Sequence, residues 1–158
     1  MKPNIGVDDN NRDAVVDILN TLLSDETVLY IRTRNYHWNV VGPQFNDLHQ
    51  FFEGQYGVLE GIIDDVAERA RTLGGRALGT MEEFSRRARL KEAPGEYPDD
   101  KTMLRTLLSD HEEVARNLRV DARKCSADYG DSVTGEFLNE LAPKHEKMAW
   151  MLRSLLEE

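Results

Sequence analysis

Two of the four histidines in this sequence stand beside a stripe of carboxylates. His37 precedes a Gly-Pro break and His49 follows it, at the start of a pattern with helical spacing. Steps of four and three residues place six positions on one helix face: His49, Glu53, Gly57, Glu60, Asp64 and Glu68. Imidazole with several carboxylates suits iron, manganese or zinc, and the oxygen-rich set favours iron. A solvated acidic face beside a packed histidine is the alternative interpretation, and spacing alone leaves it open.

One copy of this helix cannot build a metal site. Glu53 and Asp64 are eleven residues apart, which is about 16 Å along a helix axis, whereas a metal–ligand bond is about 2 Å. The carboxylates therefore form unrelated pairs one turn apart, or two helices cross antiparallel about a two-fold axis. A midpoint between residues 58 and 59 places His49 opposite the second copy's position 68 and Glu53 opposite its position 64. That coincidence favours two identical sites, each shared between subunits.

Three glycines surround the same midpoint, and they support a close crossing of two helices. Each glycine inside a helix costs about 1 kcal/mol relative to alanine. Small residues let two backbones approach, which would offset that cost. The glycines are Gly54, Gly57 and Gly61.

Apolar residues at helical spacing predict four long helices and no strand. Gly42-Pro43 separates the first two helices, and Gly74-Gly75 ends the second. A short helical piece is predicted near residues 81–88, within a long link between the second and third helices. The long helices are expected at about residues 15–37, 47–73 and 101–127, and from 133 onwards.

The helix ends and the inward faces are predicted in more detail. Asn46 or Asp47 is expected to cap the second helix, and Pro143 to kink the fourth or delay its regular part. The apolar side chains expected to face inward from the fourth helix are Val133, Phe137, Leu141, Met148, Met151, Leu152 and Leu155.

Composition excludes several classes of protein. The chain has a net charge of −9, 40% hydrophobic residues and no apolar run near the roughly 20 residues that cross a bilayer. No secretory signal pattern is present, and Cys125 is the only cysteine, so it is expected to pack as a small hydrophobe. We expect one cytoplasmic domain, residues 1–158, with a short flexible tail at residues 1–11.

Residues 37–75, HWNVVGPQFNDLHQFFEGQYGVLEGIIDDVAERARTLGG, resemble the Dps family, the mini-ferritins named as DNA-binding proteins from starved cells. The shared features are HWN, a glycine five residues after that histidine, a second histidine at +12, then DxxAER and LGG. The resemblance extends to DSVTGEFLNEL and KMAWMLR and is weakest in the tail and at residues 80–100.

The resemblance implies a ferritin-like four-helix bundle with a short extra helix in the crossover between helices two and three. It also implies a dodecamer of 23 symmetry with ferroxidase sites at its two-fold interfaces. The ligands would be His37, His49, Asp64 and Glu68, with Glu53 where the family usually has aspartate, and Trp38 close to the iron. The implied pore residues are Asp128, Asp131 and Glu136, although capping of the fourth helix by Asp131 is an equal alternative.

The ferritin alternative needs Glu-x-x-His motifs inside a single bundle, and no histidine here has a glutamate three residues before it. His111 and His145 are therefore expected to be core or surface residues, not ligands.

The function implied by the resemblance is oxidation of Fe(II), with hydrogen peroxide as preferred oxidant, and storage of ferric mineral against oxidative damage. The alternatives are a nucleoid DNA-compacting protein and a metal-free shell. DNA binding is not expected, because the tail carries only Lys2 against Asp8 and Asp9. The one basic patch, Arg86, Arg87, Arg89 and Lys91, is expected to be a solvated loop.

Overall fold

The computed structural model describes residues 2–157, and Met1 of the predicted tail and Glu158 lie outside the described residues. Its described part is all-helical, as predicted, with five α-helices and no strand. The helices are α1 (Asp9–Asn39), α2 (Phe45–Thr72), α3 (Met81–Arg87), α4 (Asp100–Arg123) and α5 (Ser132–Leu156). Lys124–Asp128 forms a π-helical segment that continues from α4.

A tight connection folds α1 and α2 into a hairpin. Five residues, 40–44, link the helices, and Gly42 adopts a φ of 119°, a conformation that L side chains rarely adopt. Val40 is buried beneath the connection, and its N–H donates to the Tyr36 carbonyl. The last turn of α1 therefore lies beside the first turns of α2.

The link between α2 and α4 runs along the outside of α1. It starts at Gly75, where a β-carbon would lie 2.3 Å from Cγ1 of Val16, so only glycine fits against α1 there. It ends at residues 91–98, which line a cavity with Tyr36 near the other end of α1. The crossover therefore spans the bundle, and α3 within it begins at a capping box formed by Thr80 and Glu83.

The core consists of aliphatic and aromatic side chains from all four long helices. Full burial of each side chain of this size stabilises the fold by about 1.5–3 kcal/mol. Fully buried examples are Leu19, Leu29, Phe52, Leu59, Leu107, Leu118 and Leu138. Cys125 packs in the same core as predicted, and burial raises the pKa of its thiol to about 12.

Several helix ends differ from the predicted ones. The α1 helix begins at Asp9, inside the predicted tail, because the Asp8 carboxylate accepts from the Asn11 N–H. The prediction that Asn46 or Asp47 caps α2 is wrong, because the helix starts at Phe45 and its N-cap residue makes no side-chain cap bond.

The fourth long helix also differs. Helix α5 runs uninterrupted through Pro143, so the proline does not delay the regular part. Three side chains predicted to face inward are exposed: Val133 at 62%, Met151 at 37% and Leu155 at 46%. A period of 3.6 residues identifies the apolar stripe but not its edges, and these three lie at the edges.

Among residues 2–157, no helix is both long and apolar enough to cross a membrane.

Candidate metal centre

The α1–α2 hairpin brings the two predicted histidine ligands into contact. His37 lies in the last turn of α1 and His49 near the start of α2. Their rings stack with centroids 3.7 Å apart and planes 19° apart. His37 is buried and His49 half-buried, so the pair opens to solvent at one side.

A reciprocal pair of hydrogen bonds orients both rings. Nδ1 of His37 lies 2.7 Å from the carbonyl oxygen of His49, and Nδ1 of His49 lies 2.7 Å from the carbonyl oxygen of His37. A carbonyl only accepts, so each Nδ1 carries the proton and donates it. In the neutral ring Nε2 then carries the lone pair, the arrangement that second-sphere carbonyls impose on metal-binding histidines.

The predicted carboxylate ligands lie along the exposed face of α2. Glu53, Asp64 and Glu68 are exposed, and within residues 2–157 no hydrogen bond or ion pair engages them. Two members of the stripe, Glu60 and Asp64, line an open groove of about 620 Å³ on this face. By contrast, the buried Asp25 accepts from the Arg89 side chain at 2.6 Å. Unlike Asp25, the stripe carboxylates have their lone pairs free.

The three glycines of α2 leave open space on the same face. A β-carbon added at Gly54, Gly57 or Gly61 would meet no atom of this chain within 4 Å. The packing of a single chain therefore gives no reason for glycine at these positions.

One chain does not complete the centre. Within residues 2–157, no three His, Cys, Asp or Glu side chains are arranged to hold a metal ion. His49 and Asp64 are fifteen residues apart on one helix, which is about 22 Å. The structure therefore unites His37 with His49 and leaves Asp64 and Glu68 at a distance, so the complete ligand set stays a prediction.

The aromatic surroundings of the histidine pair include one residue that the sequence placed only in the apolar stripe. Tyr56 packs edge-on against His37, with ring centroids 5.3 Å apart. Trp38 is 61% exposed, and Cζ of the Arg34 guanidinium lies 5.3 Å from the centroid of the Trp38 ring. The proximity of Trp38 to iron stays a prediction, whereas the contact of Tyr56 with a predicted ligand is observed.

The predicted pore residues have different environments. Asp131 is buried and its carboxylate accepts from the Thr134 N–H, so the capping role is the one observed. It also lies 3.5 Å from the Arg69 guanidinium. Asp128 and Glu136 are exposed near the turn before α5, and their place in a pore stays a prediction.

The other two histidines lie inside the bundle. His111 of α4 and His145 of α5 are fully buried, with their Nδ1 atoms 3.0 Å apart. Nε2 of His145 is 2.9 Å from Oε1 of Glu26, a fully buried residue of α1 whose burial the sequence pattern does not predict. Burial and the neighbouring His145 hold the pKa of His111 well below its usual 6.5. Of the two predicted locations, core or surface, the core is confirmed.

Comparison with known proteins shows which sequences this chain resembles. The sequence model described as Ferritin-like domain matches residues 16–158. An uncharacterized low temperature-induced protein from Nostoc sp. is 46% identical over 154 residues, covering 98% of this chain and 86% of that protein. A DNA protection during starvation protein from Brevibacillus brevis is 34% identical, covering 90% of this chain and 95% of that protein.

A solved structure extends the similarity to the fold. The crystal structure of a Dps protein from Vibrio cholerae O1, described as a member of a broad superfamily of ferritin-like diiron-carboxylate proteins, superimposes with a TM-score of 0.91. It is 29% identical and covers 99% of this chain and 97% of that chain. The predicted ferritin-like fold is thereby confirmed.

Proposed function

We propose that this chain, which belongs to the Dps family of ferritin-like proteins, oxidises Fe(II) and stores the ferric product, protecting its cell from oxidative damage. The observation that carries the proposal is the histidine pair. Both Nδ1 atoms of His37 and His49 are committed to backbone carbonyls. In the neutral rings both Nε2 lone pairs are then available to a metal ion, next to a helix face of unpaired carboxylates.

We propose that each iron site is shared between two subunits. His37, His49 and Glu53 of one subunit would face Asp64 and Glu68 of another across a two-fold axis. The open space over Gly54, Gly57 and Gly61 supports a second α2 helix crossing there. We further propose a closed dodecamer of 23 symmetry, in which three two-fold axes pass through six such interfaces and give twelve sites.

In the proposed mechanism, the residues bind Fe(II) and favour its oxidised form. The imidazole Nε2 atoms are neutral donors, and the carboxylates of Glu53, Asp64 and Glu68 supply negative charge that stabilises the harder Fe(III). With hydrogen peroxide as oxidant, two Fe(II) give one electron each. Peroxide takes both electrons and two protons to form two water molecules, and no hydroxyl radical is released. Fe(III) then leaves for the cavity, where acidic side chains would nucleate the mineral.

The substitution of glutamate at position 53 fits this scheme. Glu53 is exposed and follows His49 by one helical turn. Its extra methylene lets the carboxylate extend further from α2 than aspartate would, towards a metal shared with another subunit. The charge of the ligand set is unchanged.

The stoichiometry of iron oxidation tests the proposed function. Assembled protein is loaded anaerobically with Fe(II) and titrated with hydrogen peroxide while Fe(III) absorbance and spin-trapped hydroxyl radical are recorded. We expect two Fe(II) oxidised per peroxide and little trapped radical. One Fe(II) per peroxide, with as much radical as in protein-free buffer, would contradict the proposal.

A second candidate function is DNA binding, because relatives are named for DNA protection during starvation. We propose that this chain binds DNA weakly. Twelve copies with a net charge of −9 each give a shell of about −108, and phosphate contacts require cations that release counterions. A gel-shift assay with plasmid at low salt and without Mg²⁺ is expected to show no retardation. Retardation at stoichiometric protein would favour the DNA-binding function.

A further inference from the structure

A positively charged side chain lies beside the candidate metal centre. Arg34 stands three residues before His37 on α1. Its Cζ atom lies 4.7 Å from the ring centroid of Tyr56, 5.5 Å from that of Tyr30 and 5.3 Å from that of Trp38, all within the range of a cation–π contact. Tyr56 also packs edge-on against His37, with centroids 5.3 Å apart. The guanidinium and a predicted iron ligand therefore contact the same ring.

The charge of Arg34 has no opposite charge paired with it. Its Nη1–H donates to the neutral Tyr30 hydroxyl at 2.6 Å, and among residues 2–157 no carboxylate lies within ion-pair distance of it. By contrast, Arg89 of the crossover pairs with Asp25 at 2.6 Å and with Asp121 at 2.9 Å. The hydrogen bond to Tyr30 raises the pKa of Arg34, so the guanidinium stays charged.

Packing alone gives no reason for a charge at this position, because an apolar side chain would also fill the space between the rings. A fixed positive charge repels a metal ion held by His37 and His49. With solvent screening over about 10 Å, that repulsion should lower affinity about threefold for each unit of charge on the ion. Fe(III) carries one unit more than Fe(II), so Arg34 disfavours the oxidised ion more strongly than the reduced one.

We propose that Arg34 promotes release of the ferric product by weakening the retention of Fe(III) at the site more than the binding of Fe(II). This inference rests on the proposed function. The carboxylates of the site stabilise Fe(III), so without an opposing charge the ion formed there would be held longest. Arg34 contributes through its charge alone, and the aromatic rings keep that charge at a fixed place beside the ligands.

Zinc binding tests the charge effect without any oxidation, because Zn(II) takes imidazole and carboxylate ligands and has no redox chemistry. Binding to assembled shells is measured by calorimetry, and the variant with His37→Ala and His49→Ala gives the background. Arg34→Gln keeps a donor for Tyr30 and removes the charge, so it should bind zinc about tenfold more tightly than wild type. The difference should shrink at 1 M salt, where the Debye length is about 3 Å.

Two variants separate charge from packing. Arg34→Lys keeps the charge but not the planar group that contacts the rings, and it should bind zinc with wild-type affinity. Arg123→Gln removes the same charge at the exposed last residue of α4, and it should also bind zinc as wild type does. All variants are compared at native helicity and shell size.

Iron turnover tests the release step. Fe(II) is added in successive portions of two per site, each followed by peroxide, and the rate of Fe(III) formation is recorded for every portion. Wild type should oxidise all portions at one rate. Arg34→Gln should oxidise the first portion at least as fast as wild type and later portions about threefold more slowly, because retained Fe(III) blocks the site. A folding defect would slow the first portion as well.

Three results would overturn the inference: equal zinc affinity in Arg34→Gln and wild type, zinc binding by Arg34→Lys as tight as by Arg34→Gln, or equal rates for later portions of iron. If wild type still binds zinc above the background of the double histidine variant, the Arg34 proposal fails alone. If wild type binds zinc no more tightly than that variant, the proposed iron site fails and the Arg34 proposal fails with it.

Discussion

The four histidines form two pairs, and the environments of the two pairs differ in almost every respect. His37 and His49 lie at the end of the α1–α2 hairpin, where backbone carbonyls accept both Nδ1 protons. His111 and His145 lie within the bundle, where each is the other's hydrogen-bond partner. A hydrogen bond between two Nδ1 atoms needs a proton on one ring and a lone pair on the other. In the second pair both Nδ1 atoms are therefore used by the contact between the two histidines.

The difference shows how the fold makes a histidine side chain available or unavailable for binding a metal ion. Carbonyl partners orient an imidazole without using its second nitrogen, and an open side gives an ion access. In the bundle interior, burial excludes ions and water. The buried Glu26 has His145 at 2.9 Å, but neither of its oxygens has a hydrogen bond of good geometry. One pair therefore presents ligands, while the other is part of the core.

The largest expected effect is on the exposed pair. Replacing His37 and His49 together with alanine should reduce peroxide-driven Fe(II) oxidation to the protein-free rate, because loss of a second-sphere partner alone typically costs about 10–100-fold. The measurement is the initial rate of Fe(III) formation in shells verified by size and circular dichroism. Gln50→Ala, an exposed position next to His49, is the control and should keep the wild-type rate. An unchanged rate in the double variant would remove the proposed site.

The buried pair should respond in the opposite way. His145→Ala leaves the buried Glu26 carboxylate and Nδ1 of His111 without their neighbour, and leaving a buried polar group unpaired costs about 1–3 kcal/mol. We therefore expect a large decrease in the urea midpoint of unfolding but a wild-type rate of iron oxidation per intact shell. Lys144→Ala, an exposed neighbour on α5, should change neither quantity. If His145→Ala lost as much iron oxidation as the variant with His37 and His49 replaced, the buried pair would take part in the reaction.

The smallest expected effect is a pH dependence of stability. The pKa of His111 is well below 6.5 in the folded chain because of burial and His145. In the unfolded chain His111 takes up a proton below about 6.5, which the folded chain does not do. The contribution of neutral His111 to the free energy of unfolding is therefore fully present above pH 6.5. Below pH 6.5 that free energy decreases by at most about 1.4 kcal/mol per pH unit.

The measurement compares urea unfolding of wild type and His111→Gln from pH 7.5 to 5. Only the difference between the two slopes is informative, because other groups titrate too. Burial raises the pKa of Asp110, for example, which by itself would increase stability as the pH falls. Parallel slopes would mean that His111 binds its proton equally in both states.

Much of the fold could be predicted because its signals are local. The apolar period of α2, the glycines that end it and the short helix of the crossover are all visible in the sequence, and the structure confirms them. The start of α2 was misplaced because Asn46 and Asp47 are good capping residues locally, yet the turn at Gly42 sets where the helix begins.

Contacts between distant residues could not be predicted. The hydrogen bonds between the carbonyls and rings of His37 and His49 depend on how the hairpin closes. Glu26 resembles any surface glutamate in sequence, and only the packing of α1 against α4 and α5 buries it. Tyr56 fits an apolar stripe, and its contact with His37 appears only when α1 and α2 pack together.

The central claim is that each iron site is shared across a two-fold axis, and complementation tests it most directly. One variant carries His37→Ala and His49→Ala, the other Asp64→Ala and Glu68→Ala, and each alone should be inactive. In a mixed dimer one site loses all four substituted ligands, whereas the other keeps its full set of five. Co-assembly from unfolded subunits with random mixing should therefore restore about a quarter of wild-type iron oxidation, provided that the mutations act independently. Co-assembled shells, verified by mass spectrometry, that stay as inactive as their parents would contradict the shared site.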